Sequence, residues 1–185
     1  MTRRSWLIRG AALGLLGRVG VSGAGGPIDL ARHGLVLLIR HAQTEPGIGD
    51  PAGFVLGECA TQRNLSDAGR LQARRLGQRI RLHGWAPQRV RSSAWCRCLE
   101  TAQLAFGSTE PWPALNSFFE RRAAESAQTT ELRRALATVT PGHIEAWVTH
   151  QVNVTALCGE SPAMGELLVL RGGSAEAVVL LRLPV

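Results

Sequence analysis

Apolar and polar residues fall in blocks along this chain, and the period changes from block to block. Leu35-Val36-Leu37-Leu38-Ile39 is an unbroken aliphatic run. Such a run reads as a strand buried on both faces, as in the middle of a parallel sheet. It ends in Arg40-His41 and turn-forming residues, which places that pair at the carboxyl end of a central strand. No period holds from about Ala42 to Asn64, a loop with Pro46, Pro51 and the apolar patch Phe54-Val55-Leu56. Loops of this length are usually functional or disordered. Ser66 then predicts a helix N-cap, with Asp67 in the positive first turn. Gly69, Ala73, Leu76 and Ile80 form its apolar stripe, and Gly84 ends it.

Arg89 to Ser93 predicts a short strand. A helix from about Trp95 to Phe106 turns Leu99, Ala102 and Phe106 inward and carries Arg97 in its first turn. After a Pro- and Trp-containing connection, a helix from about Ala123 to Thr138 buries Leu132 and Leu136. Ile144 to Thr149 predicts a strand ending at His150. A helix from Gln151 to Leu157 follows, closed by Gly159. Glu166 to Leu170 and Ala177 to Leu183 predict two last strands, joined in a hairpin through Gly172-Gly173. Strands alternating with helices define an α/β class: a three-layer α/β/α sandwich with a mostly parallel central sheet.

The first 24 residues follow a different rule. Arg3 and Arg4 open a basic stretch, Gly10 to Val21 is small and apolar, and Ser22-Gly23-Ala24 suits a signal peptidase. Arg-Arg-Ser-Trp-Leu resembles a twin-arginine leader. The expectation is a cleaved signal peptide over 1–24, a domain over 25–185 and a periplasmic address. The run is too short and too rich in glycine for a stable membrane span. Formal net charge is +7, carried by 21 basic residues that are all Arg. Arg3, Arg4, Arg9 and Arg18 lie in the leader; without them 17 Arg face 14 acids, or +3. That balance is no nucleic-acid footprint.

Basic groups thus stand at three strand ends: Arg40-His41, Arg97 and His150. Two Arg and two His converging at one sheet edge suit a phosphoryl dianion. Guanidinium forks bind its oxygens, and a neutral His can attack phosphorus. The helix start after His150 adds amide donors.

The residues also carry a resemblance. Leu38-Ile39-Arg40-His41-Ala42-Gln43-Thr44 resembles the Arg-His-Gly motif of the histidine phosphatase superfamily, the phosphoglycerate mutase-like fold. Leu65 to Ala73 is similar to that family's Leu-x-x-x-Gly-x-x-Gln-Ala helix. Ser92-Ser93 through Arg97 to Thr101-Ala102 resembles its Ser-Ser-x-x-x-Arg-x-x-x-Thr-Ala segment. Val148-Thr149-His150 resembles its second-histidine motif. The resemblance implies a phosphatase working through a phosphohistidine on His41, with no cofactor and no metal. Arg40, Arg97 and His150 would hold the phosphoryl group, and Gln43 and Thr44 would touch substrate. The subgroup it suggests is exported, similar to periplasmic phosphatases of lipopolysaccharide core heptose phosphate. The expected partner is a small-molecule or lipopolysaccharide-linked phosphomonoester, with no protein partner.

Departures from the family pattern fall on the proton donor. Ser117 stands where many members have a Glu, and Gln151 where another branch has an Asp. Glu120 is the nearest replacement, with Glu45 and Glu58 further candidates. Gly47 replaces an Asn that mutases use. Three readings follow: a phosphatase, a non-catalytic anion-binding relative, and, weaker, a mutase. Of the four cysteines, Cys59 on the long loop can reach Cys96 or Cys98, and Cys158 reads as a small core residue.

Overall fold

A computed structural model describes residues 32–184; the leader expected over 1–24 lies outside the described residues. The predicted run forms β1 (Leu35–Arg40). After the long loop come α1 (Asp67–Leu82), β2 (Arg89–Ser92), α2 (Cys96–Phe106) and β3 (Glu110–Pro111). Then follow α3 (Glu125–Thr138), β4 (Ile144–Thr149), α4 (Gln151–Cys158), β5 (Leu167–Arg171) and β6 (Val179–Leu183). The strands make one sheet in the order β3-β2-β4-β1-β5-β6. β3, β2, β4 and β1 are parallel, and β5 and β6 close the other edge as an antiparallel hairpin. β3 has only two residues and was not predicted; Pro111 and Trp112 hide it in the connection. Residues 122–124 form a separate helical turn, so α3 starts two residues later than its apolar pattern implied.

The alternation of β1 builds both outer layers. Leu35, Leu37 and Ile39 pack with Leu76 and Ile80 of α1 and Cys98 and Ala102 of α2. Val36 and Leu38 face the other way, onto Leu132 and Leu136 of α3 and Val154 and Leu157 of α4. Every apolar residue of β1 is fully buried, which is why the strand lacks polar alternation.

Three motif residues fix the chain around the end of β1. Ser66 caps α1, its hydroxyl accepting from the Gly69 amide at 3.1 Å. Gln72 accepts from the Gln43 amide at 2.9 Å and donates to the Met164 carbonyl at 2.8 Å. Thr101 accepts from the Ala42 amide at 3.0 Å and donates to the Arg97 carbonyl at 2.7 Å. Gly69 lets α1 come this close, since a Cβ there would stand 1.8 Å from the Gln43 carbonyl oxygen. The atoms it would meet are all Gln43 backbone, so Gly69→Ala should destabilise the fold by about 3 kcal/mol. A shifted urea midpoint at unchanged slope will measure it.

Candidate active site

Register brings the chemistry together. Arg40 pairs with Thr149 and Ser92 with Val148 in the parallel ladder. His41 and His150 therefore leave neighbouring strands side by side, with ring centroids 5.4 Å apart. Both line one cavity of about 960 Å³ together with Arg40 and Arg97. It opens at the carboxyl ends of the parallel strands, where open α/β sheets bind ligands.

His41 is buried, and its Nδ1 lies 2.9 Å from the Ala42 carbonyl oxygen. A carbonyl only accepts, so Nδ1 carries the proton and Nε2 keeps its lone pair. Burial, with help from Arg97 and Arg40, pushes the imidazole pKa down to about 3. The His150 Nδ1 lies 3.4 Å from Arg97 Nη2 and accepts from it. Its Nε2 then donates to the Ser93 hydroxyl at 2.8 Å. Burial, followed by the neighbouring His41 and Arg97, holds His150 well below the ordinary histidine range. Two neutral imidazoles thus stand among fixed cations.

This neutrality has a stability consequence. The unfolded chain binds protons at these histidines near pH 6.5, whereas the folded chain binds them only at lower pH. Stability should therefore fall as pH drops from about 7 to 5, by about 1.4 kcal/mol per pH unit for each histidine below its unfolded pKa. Urea midpoints across that window will show it, and His41→Ala should flatten the slope.

Two residues of the long loop join the site, and sequence reasoning missed both. Asp50 is buried against Arg97, its Oδ1 accepting from Nη1 at 2.7 Å. It also accepts from the Arg63 amide at 3.0 Å and the Trp95 indole at 3.0 Å. Burial alone would raise its pKa, but the bonds from Arg97 and Arg63 outweigh that and hold the carboxyl below its usual range. Arg63 lines the same cavity and donates to the Gly47 carbonyl. The Nε–H groups of Arg40, Arg63 and Arg97 are all buried without a hydrogen-bond partner among the described residues. The three arginines themselves line the cavity, and cations gathered on one cavity are what an oxyanion would satisfy.

Other expectations fall differently. Gln43 and Thr44, expected to touch substrate, do not line the cavity. The backbone of Gln43 is tied to α1, and the buried Thr44 hydroxyl faces Met164. Glu120 lies exposed on the cavity wall, whereas Glu45 and Glu58 lie off it. Ser117 and Gly47 both line the cavity, where the family pattern has Glu and Asn. Gln151 and Val152, the first residues of α4, line it too. Asn116 holds the Ser-Ser segment in place, accepting from the Ala94 amide at 2.8 Å.

Cys59 pairs with Cys96 across 37 residues, and Cys98 and Cys158 are free. Cys96 and Cys98 are two apart on α2 and point to different sides. Cys98 is directed into the core beside His150 and Thr149, so Cys96 meets the loop. Cys158 is half-buried. Closing a loop of this length stabilises by about 3–4 kcal/mol in the chain-entropy account. Cys59→Ser should lower the melting temperature accordingly and reduce turnover, because the bridge ties the segment bearing Asp50 and Arg63 to the residue before Arg97. Adding reductant to the unmodified chain should reproduce the loss.

The family profile of the histidine phosphatase superfamily (branch 1) matches residues 36–164. The chain belongs to that superfamily. Solved structures with a similar fold include the putative phosphohistidine phosphatase SixA from Agrobacterium tumefaciens. It is 20% identical at a TM-score of 0.56, over 82% of this chain and 99% of that one. A phosphoserine phosphatase mutant from Entamoeba histolytica, in complex with phosphoserine, is 17% identical at 0.56, over 80% and 95%. Rv3214 from Mycobacterium tuberculosis is 16% identical at 0.61, over 81% and 97%. No curated protein matches the chain. The expected phosphoglycerate mutase-like architecture is thus the observed one, and phosphatase chemistry is the activity this family and site support.

Proposed function

We propose that this protein hydrolyses phosphomonoesters through a phosphohistidine on His41, without a metal ion, in the bacterial periplasm. The observation that carries the reading is a neutral His41, its Nε2 lone pair left free, in one cavity with the guanidinium groups of Arg40, Arg63 and Arg97. In the first step Nε2 attacks phosphorus and the ester P–O bond breaks. The departing oxygen takes a proton and leaves as the alcohol. In the second step water attacks, the N–P bond breaks, its electron pair returns to Nε2, and phosphate leaves. Arg40, Arg63 and Arg97 stabilise the negative charge throughout, and His150 steadies Arg97 by accepting from its Nη2.

We assign the proton donation to Glu120, which shares the cavity wall with Glu125 and is open to water. With Ser117 in the usual donor's place, esters with good leaving groups should react fastest. The SixA-like and phosphoserine phosphatase neighbours support a phosphorylated substrate. Either a small-molecule or an envelope-linked ester fits this proposal. The Cys59–Cys96 bridge supports an oxidising compartment, and cell fractionation will test it. No helix among the described residues is long and apolar enough to cross a membrane.

The deciding assay is turnover of p-nitrophenyl phosphate with and without chelator, with acid quenching to trap the acid-labile phosphoprotein. Turnover abolished by chelator would remove the metal-free claim. Phosphate binding without turnover would favour the anion-binding relative, which the missing donor at Ser117 also accommodates.

A further inference from the structure

The cavity changes character from floor to mouth. Its floor holds Arg40, Arg63 and Arg97 against Asp50, a formal balance of +2 that matches a phosphate dianion. Its mouth holds Arg121 and Arg122 against Glu120 and Glu125, a balance of zero. Charge therefore recognises the phosphoryl group and nothing beyond it. Apolar surface continues where charge stops. The rings of His41, His150, Trp95 and Phe54 form a track with successive centroids 5.4, 5.3 and 5.9 Å apart. At the mouth Ile48 is 93% exposed, Phe119 49% and Leu56 45%, and all three line the cavity. Large apolar side chains left in water around one opening mark a binding surface. The segment bearing Ile48 and Leu56 is anchored by the disulfide and by Asp50, so this surface is built before substrate arrives. The cavity is also far larger than a phosphoryl group and falls within the range of organic-ligand sites.

We propose that the substrate carries its phosphate on a long hydrocarbon chain, which lies along the Trp95–Phe54 track and leaves across Ile48, Leu56 and Phe119. This rests on the phosphatase reading above and narrows its substrate class. A second anionic group on the leaving portion would find no net charge at the mouth. A polar sugar would leave the exposed side chains uncovered.

Two linear series test it: monoalkyl phosphates from butyl to dodecyl, kept below their micelle concentrations, and the matching alkylphosphonates, which cannot be hydrolysed. Phosphate release reads the first and calorimetric binding the second. Each added methylene should raise kcat/KM and lower Kd about two- to threefold while the chain still finds apolar wall. Ile48→Ser combined with Phe119→Ser should cost dodecyl phosphate more than butyl phosphate; both positions are exposed, and circular dichroism will confirm that the fold is kept. Turnover of p-nitrophenyl phosphate with a flat alkyl series would overturn the hydrocarbon assignment and leave the phosphatase reading intact. Without turnover of any ester, the phosphatase reading falls, and the phosphonate series still decides whether the track binds a chain.

Discussion

His41→Ala should abolish turnover of p-nitrophenyl phosphate, by about 10⁴-fold or more, while phosphate still binds. On the proposed mechanism His41 is the nucleophile, the one group whose removal takes away the covalent route itself, and losses of that size follow when such a residue is deleted. The aryl ester matters to the design. Its leaving group departs without a proton, so the weak proton donation expected at this site cannot hide the effect. Phosphate binding should survive because Arg40, Arg63 and Arg97 remain. The covalent adduct trapped from the wild type should be absent from the variant. A variant that keeps its rate would place the nucleophile elsewhere and remove the phosphohistidine mechanism.

Arg97→Ala should damage both stability and catalysis. Arg97 and Asp50 are nearly fully buried, with side-chain exposures of 5% and 6%. Removing the cation leaves Asp50 with two N–H donors and without its hydrogen-bonded ion-pair partner, and breaking such a pair typically costs about 3–5 kcal/mol. Catalysis loses one guanidinium from the phosphate pocket and the partner of His150 Nδ1, for about 10²–10³-fold in kcat. Arg97→Ala/Asp50→Ala should be less destabilised than Arg97→Ala alone, because no buried charge is then stranded. Urea unfolding of both variants measures that coupling. Equal destabilisation of single and double variants would show that the pair is not coupled as its geometry implies.

The residues on regular elements were legible, and the residues on the loop were not. Five aliphatic residues in a row, followed by turn-forming residues, read as a central strand, which put Arg40 and His41 at its end. His150 followed in the same way from β4, and Arg97 from the first turn of α2. Asp50 and Arg63 lie in a segment with no period, so nothing in the sequence says which way their side chains turn. Their directions depend on contacts distant in the chain: Asp50 on Arg97, Arg63 on Gly47, and both on the bridge at Cys59. Gln43 and Thr44 stand off the cavity for a related reason. The resemblance implied contact with substrate, but the chain turns immediately after Ala42 and its backbone is claimed by Gln72, Ser66 and Leu65. The disulfide was legible as a choice between two partners, and the helical phase of α2 made the choice.

β1 is hydrogen-bonded along both edges, to β4 from Leu35 to Arg40 and to β5 from Leu35 to Ile39. It is buried on both faces as well. The segments that shape the cavity mouth, near Ile48 to Leu56 and near Phe119 to Glu125, contribute no strand to that sheet. The proposed nucleophile and the proposed choice of leaving group therefore sit on different pieces of this fold, joined where Asp50 of the loop reaches Arg97. Loop exchange at the mouth that keeps Asp50, Arg63 and the Cys59–Cys96 bridge should retarget the enzyme while the phosphoryl-transfer frame stays the same.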